Sequence, residues 1–353
     1  MGNFIQVHML TSYPPANLNR DDMGRPKTAK MGGVDRLRVS SQSLKRSWRT
    51  SELFQATMAS HIGTRTKELG HGVYKKLITG GISERNAKDW AQAIAGSFGK
   101  LKAANSKKPE ALEELEIEQL AHISPEELIS VDALVEKLIK DKKEPVKEDL
   151  ELLRHPEKAV DIALFGRMLA SSPLYNVEAA CQVAHAISVH PVVIEDDYFT
   201  AVDDLNNGDN DRGAAHIGET GFASALFYTY VCIDKDLLIE NLGGDRELAK
   251  QAISALLETS IKVAPEGKQN SYASRAYASY VLVERGNMQP RSLSVAFLKP
   301  IKGDDFGQDA FVALLKTCEN MDKVYEITGV ERKSLNAFSG EGKISELLEF
   351  ARG

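Results

Sequence analysis

The chain has 353 residues, with 44 Lys and Arg against 50 Asp and Glu, a formal net charge of −6, and 42% hydrophobic residues. This is the composition of an ordinary globular protein with enough chain for a sizeable core. Cys181, Cys232 and Cys318 lie far apart with no CxxC spacing, which excludes a disulfide scaffold or zinc ribbon and predicts a reducing, cytoplasmic setting. No apolar run reaches the roughly 18 residues of a membrane span and no signal peptide is evident, so no membrane association is expected.

In chain order, Asn3 to Leu10 is apolar and β-branched and reads as a buried strand. A loop with Pro14, Pro15, Gly24, Pro26, Gly32 and Gly33 follows, then a short extended Leu37-Arg38-Val39. Ser40 or Ser41 caps a helix from Gln42 to about Ser60. From Gly63 to Glu157 the chain is mostly helical, with a strong helix start at Ser124-Pro125-Glu126-Glu127. Asn176 to Ser188 has the spacing of an amphipathic helix, and the chain is extended from His190 to about Thr200. A polar stretch from Asp203 to Gly221 leads into an alternating strand, Phe222 to Ile233. A helix from Asp245 to about Lys262, a strand from Tyr277 to Glu284 and helices at 308–321 and 343–351 complete the reading. With the helical block set aside, the order is close to the ferredoxin-like plan of an α+β fold. Many unrelated proteins share that plan, so it decides little about function.

The net charge conceals an uneven distribution. Residues 20–50 hold nine bases (Arg20, Arg25, Lys27, Lys30, Arg36, Arg38, Lys45, Arg46 and Arg49) against three acids, a local +6 that leaves −12 for the rest. Acids gather at 110–160 and at 195–211. A helix beginning near Gln42 places Gln42, Lys45, Arg46 and Arg49 on one face, opposite Leu44 and Trp48. Ser40, Ser41 and Ser43 surround its N-terminus, where free amides and the helix dipole favour an anion. The segment reads as a cradle for a phosphodiester backbone. The alternative is an N-capped helix whose cationic face is merely solvated. Neither GxxxxGK[ST] nor GxGxxG occurs, which argues against nucleotide hydrolysis and dinucleotide chemistry. Eight scattered histidines, no HExxH and no GxSxG point to no metal, cofactor or catalytic centre. The stretch Asp203 to Gly208 resembles a calcium loop only superficially, because Leu205 and Ala214 stand where ligands are needed.

Leu18-Asn19-Arg20-Asp21-Asp22, Gly32-Gly33 and Arg38 to Arg46 closely resemble the backbone subunit of the type I-E CRISPR Cascade complex, the CasC or Cse family. Later segments agree in order: Val160 to Met168, Ala184-His185-Ala186-Ile187, Phe199 to Leu205, Ala215 to Gly218, Glu240 to Gly244 and Gly267-Lys268-Gln269. The resemblance implies an RRM-like palm (1–60, 161–189 and 222–353, the last with C-terminal helices), helical fingers inserted at 61–160 and a β-hairpin thumb at 190–221. It implies copies that polymerise along a guide RNA, the crRNA, which pairs with target DNA in a complex with other Cascade subunits. RNA contacts would come from Arg20, Lys27, Ser40, Gln42, Ser43, Lys45, Arg46, Arg49, Arg167, Met168 and Lys268, with Met168 wedging against bases. Phe199, Thr200, His216 and Ile217 of the thumb would act where a base is flipped. Lys137, Lys140, Lys142, Lys143 and Lys147 fall where a fingers patch would guide DNA, although acids interleave them. The resemblance favours a scaffold over an enzyme. The alternative is a backbone subunit that cuts target RNA with a loop acid, as type III relatives do, where Asp21 and Asp22 stand.

Overall fold

The computed structural model describes residues 3–104, 111–155, 158–201 and 216–353. β1 (Phe4–Ala16), β2 (Thr28–Met31) and β3 (Val34–Val39) lead into α1 (Ser41–Thr50) and α2 (Glu52–Met58). Then come β4 (Thr64–Thr66), α3 (Leu69–Thr79), α4 (Glu84–Gly96), β5 (Ala121–Ile123), α5 (Pro125–Asp141) and α6 (Val160–Phe165). β6 (Cys181–Val183), β7 (Ala186–Ser188), β8 (Glu195–Ala201) and β9 (His216–Asp234) precede α7 (Lys235–Asn241), α8 (Arg246–Lys262) and α9 (Gln269–Tyr272). The last elements are β10 (Tyr280–Gly286), α10 (Phe306–Val324), β11 (Glu331–Asn336) and α11 (Ile344–Arg352). The fold is mixed α/β, with one multi-stranded sheet and several helices. Two compact units divide it: Met1–Phe54, Gln182–Ile233 and Ile253–Gly353 form one, Gln55–Cys181 and Asp234–Ala252 the other.

The first unit is built on the sheet, in the order β11-β10-β1-β9-β7-β3-β2, with β6 and β8 also on β9. β1 lies inside it, antiparallel to β10 with Val7 opposite Val283 and Leu10 opposite Tyr280. Its residues from Ile5 to Thr11 are buried on both faces, as an interior strand requires. His8 is the most deeply buried of its three buried polar residues, Gln6, His8 and Thr11. Its Nε2 faces Glu284 at 3.1 Å and its Nδ1 the Tyr228 hydroxyl at 2.8 Å. Arg291 and Arg332 both donate to Glu284 and to Asp322. Burial outweighs the pull of Glu284 and lowers the His8 pKa. For Glu284, burial alone would raise the pKa, but hydrogen bonds from His8 and Arg291 outweigh it and hold the carboxyl well below the usual range.

The helix expected over Asn176–Ser188 is absent. Cys181–Val183 and Ala186–Ser188 are strands instead, with Ile187 opposite Tyr228 and the Ala184 amide donating to the Tyr230 carbonyl at 2.9 Å. The available partner strand overrides local helical spacing. The helix expected to run from Gln42 to Ser60 breaks at Ser51, whose backbone is extended and whose hydroxyl accepts from the Phe54 amide at the start of α2. β2, β11 and α7 had no counterpart in the sequence reading.

The second unit packs the apolar faces of α3, α4 and α5 together: Val73 and Leu77, Trp90 and Ile94, Val131, Leu134 and Leu138. A short antiparallel pair, β4 with β5, completes it. It takes in 161–181 and 234–252, beyond the 61–160 span expected for the helical block. Among the described residues, no helix is long and apolar enough to cross a membrane.

Candidate nucleic-acid interface

Leu44, Ser47 and Trp48 are the buried residues of α1. Truncating a buried Trp to Ala typically costs about 3–5 kcal/mol, so the apolar stripe sets the helix's rotation and its cations take the remaining face. Gln42 and Arg46 are exposed, while Lys45 and Arg49 are half-buried. Ser40 is the cap, extended at φ −67° and ψ 146°, and its hydroxyl accepts from the Ser43 amide. The Ser40 amide donates to Asn19 Oδ1 at 2.9 Å, and the Ser41 amide to His185 Nδ1 at 2.8 Å.

These bonds correct one expectation. The amides of Ser40, Ser41 and Ser43 have protein partners, so an anion here meets side chains and the residual helix dipole rather than an open row of N–H groups. A cleft of about 360 Å³ supplies those side chains: Arg20, Ser43 and Arg46 line it with Asn19, Asp21 and Glu266. Gly267 closes one wall, so tightly that a Cβ there would lie 2.1 Å from the Leu18 carbonyl oxygen.

The local charge is smaller than the residue count suggests. Arg36 is fully buried, and its guanidinium donates to the carbonyls of Met31, Ser188 and Phe297. Arg25 pairs with Asp196 at 2.9 Å and Lys30 with Asp35 at 3.5 Å. Cations nevertheless stand close to the start of α1: burial lowers the His185 pKa, and Arg38 and then Lys27 push it further down. Arg38, His185 and Asn19 were absent from the expected site. The segments Leu18-Asn19-Arg20 and Ala184-His185-Ala186 carried the only sequence signal for Asn19 and His185, while Arg38 stood among the nine bases of 20–50.

The other expected residues divide sharply. Arg167 does not line a surface: its guanidinium is buried, and its Nη1 donates to both Glu127 oxygens, at 2.8 and 3.0 Å. A phosphate cannot reach it. Met168, the next residue, is 82% exposed. Lys268, half-buried, donates to the Thr220 hydroxyl at 2.5 Å. β8 and β9 form an antiparallel hairpin with Phe199 opposite Gly218, Thr200 opposite Ile217 and Ala201 opposite His216. The exposed Phe199 ring lies over Gly218, where a Cβ would come 2.3 Å from its Cζ. Asn17 fastens the hairpin's base to the basic loop, donating to the carbonyls of Gly24 and Gly221. The middle of the expected thumb and most of the acidic run at 195–211 fall on residues 202–215, outside the described residues.

In the other unit, Lys137 pairs with Asp149 at 2.7 Å, which raises the lysine pKa and lowers that of the acid. Lys140, Lys142, Lys143 and Lys147 are exposed. Asp21 shapes its own loop: its Oδ1 accepts from the amides of Met23 and Arg25. Asp22 is exposed. Among the described residues, no group of three or more His, Cys, Asp or Glu side chains is placed to hold a metal.

The chain matches the model of the CT1975-like protein family over residues 5–347. No curated protein matches it. It is similar to a solved chain described as "CRISPR RNA-guided surveillance complex, pre-nicking", at 29% identity and TM-score 0.81, over 99% of this chain and 100% of that one. A chain of a "CRISPR RNA-guided surveillance complex" shares the fold at 23% identity and TM-score 0.74, with the same coverage.

Proposed function

Starting from the fact that the chain belongs to the CT1975-like protein family, we propose that it is a guide-RNA-binding backbone subunit of a CRISPR surveillance complex of the Cascade type. The cleft carries this reading: Arg20 and Arg46 converge with Ser43 at the capped start of α1. Cations and hydroxyls without a nucleotide-hydrolysis motif suit an RNA backbone, which they position without reading its sequence. Lys27, Arg38, Gln42, Lys45 and Arg49 extend the contact from the same loop and helix, and Lys268 flanks it. The sheet unit is the palm, the β8–β9 hairpin the base of the thumb and the helical unit the fingers. Copies assemble along one guide, which pairs with target DNA beside the other subunits. Met168 and Phe199 act as apolar wedges, whose unstacking cost of a few kcal/mol many backbone contacts offset.

In this reading the subunit holds RNA and does not cut it: the Asp21 carboxylate serves its own loop, which leaves Asp22 as the exposed loop acid to test. Incubating the assembled complex with complementary RNA and magnesium should leave that RNA intact. Regularly spaced cuts abolished by Asp22→Ala would overturn the scaffold reading. The primary test is purification of the expressed protein with its partner subunits, followed by sequencing of the bound RNA. Short RNAs of uniform length and varied internal sequence are expected. Absence of RNA, or a mixed-length sample of cellular transcripts, contradicts the proposal.

A further inference from the structure

The surroundings of Met168 show what presents it. Gly166 ends α6 at φ +81°, with its amide on the Ile162 carbonyl, and a Cβ there would lie 3.0 Å from the Val177 oxygen. Arg167 and Val177 exchange both backbone hydrogen bonds, at 3.0 and 2.9 Å. On the far side, the Leu169 amide donates to Asn176 Oδ1 at 2.6 Å and the Leu169 side chain is buried. Both neighbours of Met168 are thus tied inward while its own side chain stands in solvent. An 82% exposed methionine adds nothing to the core.

The tie on the Arg167 side is elaborate. Besides the Nη1 contact with both Glu127 oxygens, Nη2 donates to the carbonyls of Arg154 and Tyr175, and Nε to Tyr175 again. Glu127 is itself fixed: Oε2 accepts from the Ser124 amide in the capping box of α5, and Oε1 from the Arg154 amide. A buried ion pair contributes little net stability, because desolvation offsets its attraction. What a planar guanidinium contributes well is direction, since Nη1 on Glu127 and Nη2 and Nε on the Arg154 and Tyr175 carbonyls fix its plane.

We propose that Arg167 is a positioning residue: locked to Glu127, it holds Met168 at a fixed height and angle against nucleic-acid bases without touching nucleic acid itself. The inference rests on the wedge reading of Met168 given above, and one experiment separates the two. The assembled complex is loaded with targets carrying 2-aminopurine at successive positions, whose fluorescence rises where a base is unstacked. Met168→Ala is expected to lower the signal at the disrupted positions severalfold. Arg167→Lys, which keeps the charge and loses the bonds from Nη2 and Nε to the Arg154 and Tyr175 carbonyls, should lower it to the same level, and the double variant should lower it no further. The salt dependence of guide binding should not move, which separates this role from a phosphate contact.

An unchanged signal in Arg167→Lys, with Met168→Ala reduced, overturns the inference and leaves the wedge standing. An unchanged signal in Met168→Ala overturns both. Should Arg167→Lys fail to fold, Glu127→Gln weakens the Nη1 contact and keeps an acceptor for the Ser124 cap. It should lower the same signal, and no change there is equally fatal.

Discussion

Two helices of this protein begin alike and do opposite things. α1 and α5 are each capped by a serine whose hydroxyl accepts from the amide three residues on, Ser43 for Ser40 and Glu127 for Ser124. α5 continues with Pro125, Glu126 and Glu127, so acids of the chain itself neutralise its positive end, and Glu127 turns inward to Arg167. α1 has no acid in its first turn, and Arg46 stands exposed beside the cleft. The same cap therefore serves internal order in one unit and stands beside an exposed arginine in the other. Charge near a helix start is informative only once its neighbours are known to be inside or outside.

The comparison can be broken by mutation. The largest effect is expected from Glu127→Ala, which strands a buried guanidinium. Urea unfolding should report a loss of about 3–5 kcal/mol, while guide-RNA binding by the folded protein keeps its salt dependence. A loss below about 0.5 kcal/mol, as at an ordinary surface site, would deny the internal role of the α5 start. Next, Arg36→Met leaves buried carbonyls without a donor and should cost about 1–3 kcal/mol. Arg46→Met, on the exposed face, should stay within about 0.5 kcal/mol. Equal losses at the two arginines would erase the distinction between interior and cleft cations.

The smallest effect is on pH dependence. His185 Nδ1 must be unprotonated to accept from the Ser41 amide, and its folded pKa lies below the ordinary 6.5. A depressed histidine contributes stability that is complete above pH 6.5 and lost as pH falls through 6.5 toward the folded value. His8 adds to the same window, and Glu284 adds a loss below the ordinary 4.5 of a glutamate. The urea midpoint should drop between pH 7.5 and 5.5, and His185→Gln should remove part of that drop. A midpoint independent of pH over that window would contradict both histidine assignments.

Much of α1 was legible in advance because its information is local. Leu44 and Trp48 fix which side faces in, and Ser40 marks the start. The buried arginines were not legible. Arg36 is held by the carbonyls of Ser188 and Phe297, and Arg167 by Glu127, all remote in sequence. Nothing near either residue distinguishes it from a surface cation. The same remoteness hid the strands within Asn176–Ser188, whose spacing suits a helix but whose hydrogen bonds belong to β9. β11, whose sequence is largely polar, has no apolar alternation to announce it. The amides at the start of α1 were misjudged because Asn19 and His185 reach them from other segments.

The central claim is that Arg20 and Arg46 contact RNA phosphates in the cleft beside α1. It is tested most directly by measuring guide-RNA affinity as a function of salt for the wild type and for Arg20→Ala with Arg46→Ala. The slope of log K against log salt should become shallower by roughly 0.7 for each lost contact, as for a single strand, with the fold intact by circular dichroism. A double variant with the wild-type affinity and slope would contradict the account.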